Sequence, residues 1–340
     1  MPKDYPSTPS IPLIDFSAFS NPDVGVDEQI LVANRLLEGF KKNGFVYLQK
    51  VSVSPEMVSE AFGWSKKFFD LPVEIKKQAL HPADGSCHRG YSPIGLEKVK
   101  PIEPSNGRTM NGNEKAAAPD HKETYDIGKP GRLSEHNIWL PEESERKYDL
   151  TGFRKFFEEF YEACERLEMG ILRAISIGLM GVEQADYLSK FHQESNNQIR
   201  LAHYPPIEAT QLIEGVRERF GAHTDFGSIT ILFQDQVGGL QVENPNAPGH
   251  FLQVKPIEET VVVNIADLLM RWSNDTLRST LHRVGPPAVT GLIPSRYSIP
   301  YFCGPDPKAL IKCLPGSTSQ PKYEPIYADE YIKMRMKSSY

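Results

Sequence analysis

The first half of the chain carries its hydrophobic residues at the three- and four-residue spacing of amphipathic helices. The stretch EQILVANRLLEGFKKNG predicts a helix that ends near Gly44, after two lysines. Ser54 followed by Pro55 predicts the start of a second helix, because serine caps helices well and proline is tolerated in the first turn. From Phe153 to Ile175 apolar side chains recur at intervals of three and four, which predicts one long helix packed on a flat surface.

After Gly181 the pattern changes to short hydrophobic segments separated by Gly and Pro. The segments SITILFQ, GLQVEN, FLQVKP, TVVVNIA, STLHRV and RYSIPYF are rich in β-branched and aromatic residues, which is typical of strands. Many short strands with turn signals predict a double-stranded β-helix, or jelly roll. We expect one α+β domain over residues 1–340, with a helix-rich region at 1–180, the jelly-roll core at 181–320 and a C-terminal helix or lid at 321–340. The long helix should pack on the outer sheet.

Composition narrows the class of protein. With 39% hydrophobic and 24% charged residues, the chain fits a soluble globular domain with a proper core. The net charge of -6 argues against a nucleic-acid surface, which needs clustered Lys and Arg. No apolar run reaches membrane-spanning length and the N-terminus lacks a signal-peptide core, so we expect no membrane partner and a cytoplasmic location. The four cysteines form no CxxC pair, and the oligomeric state stays open.

A histidine and a carboxylate stand two positions apart at the start of the strand-like run AHTDFGSITILFQD. Side chains two apart in a strand point to one face and lie roughly 6.6 Å apart, so His223 and Asp225 can address one metal ion. A second histidine would complete the two-His-one-carboxylate set, which holds redox-active iron and leaves one face open. His282 in STLHRV is the best candidate. Alone, the HxD pair is weak evidence, since single strand histidines are more often packing residues.

A second motif adds an anion receptor. Arg296 and Ser298 are two apart in the otherwise apolar run SRYSIPYFC. An inward guanidinium is costly to bury without an anion, and its planar donors match a carboxylate. The two motifs together predict a pocket for a ligand that chelates a metal at one end and presents a carboxylate at the other. The cosubstrate 2-oxoglutarate has that shape.

The segments HTDFGSITILFQD, GGLQVENP, VVVNIADLLMRWSNDTLRSTLHRV and RYSIPYFC resemble the core of the 2-oxoglutarate/Fe(II)-dependent oxygenases of the isopenicillin N synthase-like group. The likeness extends to IPLIDFSAF and GFKKNGFVYLQ, and it is nearest to fungal-type members such as thymine hydroxylases. It implies that Fe(II) is bound by the HxD pair and the later histidine, with O2 as a further substrate and ascorbate as a supporting reductant. It also implies that Arg296, Ser298 and Tyr204 hold 2-oxoglutarate.

The resemblance implies oxidation, most often hydroxylation, of an unactivated C–H bond of a small molecule, with 2-oxoglutarate decarboxylated to succinate and CO2. No catalytic residue beyond the metal ligands is needed. Arg200, Phe226 and Phe302 are candidates for the substrate side, although an ion pair for the arginine and core packing for the phenylalanines explain them as well. A specialised metabolite, an amino acid and a nucleobase all fit as substrate.

Two other functions are compatible with the sequence. The first is an iron(II) oxidase of the cyclase or desaturase type that uses O2 without 2-oxoglutarate. The second is a catalytically inactive ligand-binding jelly roll, which an intact set of metal ligands disfavours.

Overall fold

The computed structural model describes residues 11–21, 23–82, 88–96, 120–132, 135–194, 196–213, 219–285, 291–315 and 320–339. In this part of the chain the helices are α1 Ser17–Ser20, α2 Val26–Lys42, α3 Pro55–Phe69, α4 Val73–Lys76, α5 Glu142–Lys147, α6 Phe153–Met180, α7 Ala209–Ile213, α8 Asp267–Trp272 and α9 Ala328–Ser339. Short 3-10 helices span Lys77–Ala79, Val182–Gln184 and Ser189–Phe191.

The strands of the described residues are short, as the sequence predicts. They are β1 Leu13–Asp15, β2 Phe45–Gln49, β3 Gly90–Ser92, β4 Glu123–Gly128, β5 Gln198–Tyr204, β6 Ile207–Glu208, β7 Phe220–His223, β8 Ile229–Gln234, β9 Leu240–Glu243, β10 Phe251–Gln253, β11 Thr260–Ile265, β12 His282–Val284, β13 Leu292–Ile293, β14 Arg296–Cys303, β15 Leu310–Ile311 and β16 Ile326–Tyr327.

Two facing sheets form the core of the molecule. The larger sheet has the strand order β1-β2-β11-β8-β14-β5-β4-β3, and the smaller has the order β10-β9-β12-β7. Apolar side chains of both sheets pack together between them: Phe45, Tyr47, Leu240, Val242, Val254 and Val262. Except for the parallel pair β1 and β2, the strand pairings within these sheets are antiparallel. The predicted double-stranded β-helix is confirmed.

Helix α6 covers the outer face of the larger sheet. Its Phe160 ring lies 5.3 Å from the ring of Phe233 on β8, and its Tyr161 ring lies 5.4 Å from that of Tyr301 on β14. Because side chains alternate along a strand, the intervening residues of β8 and β14 face the interior between the sheets. The side chains of β8 and β14 that line the barrel are therefore those on the face away from the long helix.

The ends of the first helices follow the predicted signals. The hydroxyl of Ser54 accepts a hydrogen bond of 3.2 Å from the amide of Met57, which caps α3. After α2, Gly44 has a φ of +71°, and a Cβ there would lie 2.4 Å from the carbonyl oxygen of Arg278. Glycine is required at this position because it permits both the left-handed turn and the close approach.

The region before residue 181 is not separate from the core, since it supplies β1 to β4 to the larger sheet. The proposed boundaries within the single domain stay a prediction. Among the described residues, no helix has the combination of length and apolar character that a bilayer crossing requires.

Candidate active site

Three predicted metal ligands meet at one end of the barrel. His223 ends β7, and His282 begins β12 directly opposite it in the antiparallel pairing. Asp225 lies just beyond β7, in the connection to β8. The Oδ1 atom of Asp225 is 3.8 Å from Nε2 of His223 and 3.6 Å from Nε2 of His282. One ligand atom from each residue lies within 4.8 Å of the other two, a separation that one metal ion can bridge.

Hydrogen bonds to the backbone orient both imidazoles. The Nδ1 atom of His223 is 2.9 Å from the carbonyl oxygen of Gly221, and that of His282 is 3.1 Å from the carbonyl oxygen of Thr280. A carbonyl only accepts, so each Nδ1 carries the proton and donates. The Nε2 lone pair of each ring is thereby directed towards Asp225, as is common for metal-binding histidines.

The carboxylate of Asp225 is fixed through its other oxygen. Oδ2 accepts hydrogen bonds from the hydroxyl of Thr230 at 2.6 Å and from the amide of Asn264 at 2.8 Å. Thr230 lies on β8 and Asn264 is its neighbour on β11. Because these bonds occupy Oδ2, Oδ1 is the atom that can bind a metal.

The three groups are buried and electrostatically coupled. Burial, and then the charge of His282, lower the pKa of His223 to about 3, so this imidazole is neutral at pH 7. Burial opposes ionisation of Asp225, yet the two histidines hold its pKa below the usual range. Burial also disfavours the charged form of His282, but the carboxylate of Asp225 outweighs this effect and raises its pKa. Imidazole nitrogens and a buried carboxylate form a donor set that fits Fe(II).

The predicted cosubstrate residues are also neighbours. Arg296 on β14 lies opposite Tyr204 on β5, and its guanidinium is 4.9 Å from the centre of the Tyr204 ring. Nη1 of Arg296 donates a hydrogen bond of 3.1 Å to the hydroxyl of Ser298. The arginine is only 1% exposed, and its Nε has no hydrogen-bond partner among the described residues. A buried, incompletely bonded guanidinium is suited to an anionic ligand.

The strands β8 and β14 run from the surroundings of the predicted metal ligands, where Thr230 bonds to Asp225, to Arg296 at the start of β14. Thr230 beside Asp225 is paired with Phe302, whereas Gln234 is paired with Ser298. Four residues of strand correspond to ~13 Å, a distance that an extended arginine and a five-carbon diacid can span together. The arrangement can hold 2-oxoglutarate between the metal and the guanidinium.

The three candidates for the substrate side, Arg200, Phe226 and Phe302, have different surroundings in the structure. Arg200 makes a bidentate ion pair with Asp126, with Nε to Oδ1 at 2.7 Å and Nη2 to Oδ2 at 2.8 Å. Phe226 lies under the guanidinium of Arg335, which is 5.0 Å from the ring centre. Phe302 is partly buried on β14, beside the threonine that bonds to Asp225. The sequence left an ion pair open as an explanation for Arg200, and the structure contains such a pair. The substrate-binding roles of the three residues stay predictions.

Two charged groups beside the predicted metal ligands were not identified from the sequence. Nζ of Lys122 lies 3.4 Å from the centre of the Phe220 ring, which is itself 4.1 Å from the His223 ring. Arg335 on α9 donates to the hydroxyl of Thr224 at 3.1 Å and forms an ion pair with Asp267. Lys122 and Arg335 are far from the ligands in sequence, and no motif marks them.

Two family models match separate parts of the chain. A family model described as the 2OG-Fe(II) oxygenase superfamily matches residues 195–305, a range that includes all the predicted site residues. A second model, described as the N-terminal part of a non-haem dioxygenase in morphine synthesis, matches residues 11–145.

Several relatives match over nearly their full length. The chain is 36% identical over 336 residues to the 2-oxoglutarate-dependent dioxygenase frbA of Dothideomycetidae sp. (strain 11243), covering 97% of this chain and 96% of the relative. It is 35% identical to the proline hydroxylase buaE of Petromyces alliaceus, covering 96% and 98%. Among solved structures, a full-length Neurospora crassa protein in complex with alpha-KG and thymine is 39% identical, with 97% of each chain covered and a TM-score of 0.83.

Proposed function

Because the chain belongs to the 2-oxoglutarate/Fe(II) oxygenase superfamily and is a 2-oxoglutarate-dependent dioxygenase of small molecules, we propose that His223, Asp225 and His282 are its iron ligands. The proposal depends on one observation, the approach of their three ligand atoms to within 4.8 Å at the end of the barrel. Bound iron, with 2-oxoglutarate and O2, supplies an oxidation that yields succinate, CO2 and an oxidised substrate.

Three residues at the other end of the cavity are proposed to bind the cosubstrate. Arg296 and Ser298 offer hydrogen-bond donors to the distal carboxylate of 2-oxoglutarate, and Tyr204 supports the guanidinium from the neighbouring strand. Beside these residues, Ala202, Tyr204 and Val284 pack together with the partly buried Phe220 as an apolar cluster. Such a lining excludes water and suits the methylene groups of the diacid.

The protein's own contribution to the reaction is positioning. The carbonyls of Gly221 and Thr280 hold the histidine rings, and Thr230 and Asn264 hold the carboxylate of Asp225. No side chain is required to act as an acid or a base in this arrangement. The geometry of the ligand set, with the apolar cavity, directs the oxidation to the substrate.

On the substrate side we infer a small polar molecule. Arg200 and Asp126 face the interior as a bidentate pair, which offers donors and acceptors to a group that carries both, such as an amide or an amino acid. One relative is named a proline hydroxylase, and the Neurospora structure contains thymine. Both molecules carry such groups, and a specialised metabolite built from an amino acid would carry them too.

The test is turnover of candidate substrates with Fe(II), 2-oxoglutarate, O2 and ascorbate. Succinate release coupled to a gain of one oxygen in the substrate is the expected result. Asp225→Ala should lose both the turnover and the stoichiometric iron, whereas Asp186→Ala, which removes an exposed carboxylate, should retain them. Arg296→Ala should mainly weaken 2-oxoglutarate binding. Full iron binding in Asp225→Ala, or unchanged 2-oxoglutarate affinity in Arg296→Ala, would refute the assigned roles.

A further inference from the structure

A second buried arginine lies beside the proposed cosubstrate residues. Arg219 is 0% exposed, and its guanidinium lies 5.9 Å from the centre of the Tyr204 ring, which also packs against Arg296. Nη2 of Arg219 donates a hydrogen bond of 2.8 Å to the carbonyl oxygen of Pro294. Its Nε and Nη1 atoms have no hydrogen-bond partner among the described residues. Three of its five N–H donors, one on Nε and two on Nη1, are therefore left unbonded within the described part of the chain.

Other buried polar atoms that lack a partner in the described residues lie on β8 and β14. Gln234 is paired with Ser298 across β8 and β14, and both atoms of its buried side-chain amide lack a partner within the described chain. The Nε atom of Arg296 is in the same situation. Buried polar groups are nearly always hydrogen-bonded in folded proteins, so a cluster of exceptions on neighbouring strands indicates a ligand-binding position.

Positively charged side chains outnumber negatively charged ones at this position. One carboxylate, that of Asp235, lies near both arginines: burial raises its pKa, and the charges of Arg296 and Arg219 oppose this effect. Asp235 accepts hydrogen bonds from the backbone amides of Tyr297 at 2.5 Å and Val237 at 3.0 Å. Burial and the neighbouring Arg296 lower the pKa of Arg219 to about 10, which leaves it charged at pH 7. Two cations and one anion give this group a net charge of one positive unit.

We propose that Arg219 is a second guanidinium for the distal carboxylate of 2-oxoglutarate, which it shares with Arg296. The inference depends on the cosubstrate position proposed above. Without Arg219, the charges of Arg296 and Asp235 would cancel and a carboxylate would enter a neutral, buried environment. With Arg219 the bound carboxylate brings the sum to zero. Arg219 therefore strengthens the preference of the enzyme for a diacid over a 2-oxo acid that has only one carboxylate.

The experiment measures binding rather than turnover. Calorimetric titrations under anaerobic conditions, with Mn(II) in place of Fe(II), would compare 2-oxoglutarate with 2-oxopentanoate, which has the same five-carbon chain but a methyl group at the distal end. Arg219→Met should weaken 2-oxoglutarate binding about tenfold or more, because a charge-assisted hydrogen bond is lost, and change 2-oxopentanoate binding less than about twofold. Arg219→Lys, which keeps the charge and loses the planar fork, should fall between the wild type and Arg219→Met.

The matched control is Arg271→Met. Arg271 is only partly buried, but like Arg219 it donates to a backbone carbonyl, that of Glu324, and packs on a tyrosine ring, that of Tyr323 at 4.7 Å. It lies on α8 outside the barrel, so both affinities should be unchanged. Should Arg219→Met fail to fold, Arg219→Lys provides the test with the same pair of ligands.

Two results would overturn the inference while leaving the proposed function intact. One is an equal loss of affinity for both oxo acids in the Arg219 variants, which would mean a purely structural role. The other is 2-oxoglutarate binding as tight as in the wild type. If the wild-type protein itself binds neither oxo acid in a metal-dependent way, the proposed cosubstrate position fails and the inference fails with it.

Discussion

The buried imidazole of His192 makes the stability of the protein sensitive to mild acid. The residue is 0% exposed, with Nδ1 at 2.8 Å from the carbonyl oxygen of Leu188 and Nε2 at 2.9 Å from the hydroxyl of Ser228. Its ring is stacked on Trp272 at 6.4 Å. Burial lowers its pKa from 6.5 to about 4, so the folded protein keeps this histidine neutral where an unfolded chain would protonate it.

The sign and size of the effect follow from proton linkage. Below pH 6.5 the unfolded state binds a proton that the folded state does not, so stability falls as the pH decreases, until the folded state is also protonated near pH 4. Relative to pH 8, the free energy of unfolding should decrease by ~1.4 kcal/mol at pH 5.5 and by about 2.5 kcal/mol at pH 4.5. The full effect of the shift is about 3 kcal/mol.

The assay is urea unfolding of the wild type and of His192→Gln between pH 8 and pH 4.5. The glutamine removes the titrating group, so the variant should start less stable at pH 8 and lose less stability on acidification, by the amounts given above. His250→Gln, which removes an exposed imidazole, serves as the control and should follow the wild type. If His192→Gln and the wild type lose stability in parallel over this range, the reasoning is wrong.

Further predictions concern the metal ligand, the C-terminal helix and a buried ion pair. Asn264→Ala should weaken Fe(II) binding about tenfold or more, measured by competition with a chelator, because Asp225 loses a donor on Oδ2; an unchanged affinity would contradict this. Arg335→Met should detach α9, so that limited proteolysis cleaves there sooner, and equal cleavage rates would count against a tether. Lys76→Met should destabilise the fold by roughly 3 kcal/mol in denaturant titrations, since it leaves the buried carboxylate of Glu123 without its cation; a change near zero would show that the pair is dispensable.

The sequence is informative about the site where the chemistry depends on spacing along one strand. Arg296 and Ser298 are two apart on β14, as expected, and the guanidinium also donates a hydrogen bond to the hydroxyl. His223 and Asp225 converge as predicted, although β7 ends at the histidine and the carboxylate lies in the following connection. The position of His282 opposite His223 could not be derived in the same way, because the pairing of β7 with β12 joins residues 59 positions apart.

An irregularity in the pairing of β7 with β12 explains a second feature that the sequence pattern could not predict. Between the two paired positions, β12 has one residue, between His282 and Val284, whereas β7 has two, between Phe220 and His223. This bulge breaks the alternation of side chains, so Phe220 lies against His223 at a ring distance of 4.1 Å instead of on the opposite face. The bulge arises from pairing with a strand distant in sequence, and it begins directly after Arg219. Periodicity alone therefore could not assign Arg219 to the cosubstrate end.

The polar groups inside the barrel divide into two sets. At the metal end, the second oxygen of Asp225 and both Nδ1 atoms of the histidines are bonded within the protein, by Thr230, Asn264 and backbone carbonyls. At the other end, atoms of Arg219, Gln234 and Arg296 lack such partners in the described residues. The first set holds a carboxylate and two imidazoles in one orientation, which a metal centre needs before any ligand arrives. We propose that 2-oxoglutarate, which enters and leaves at each turnover, completes the hydrogen bonds of the second set.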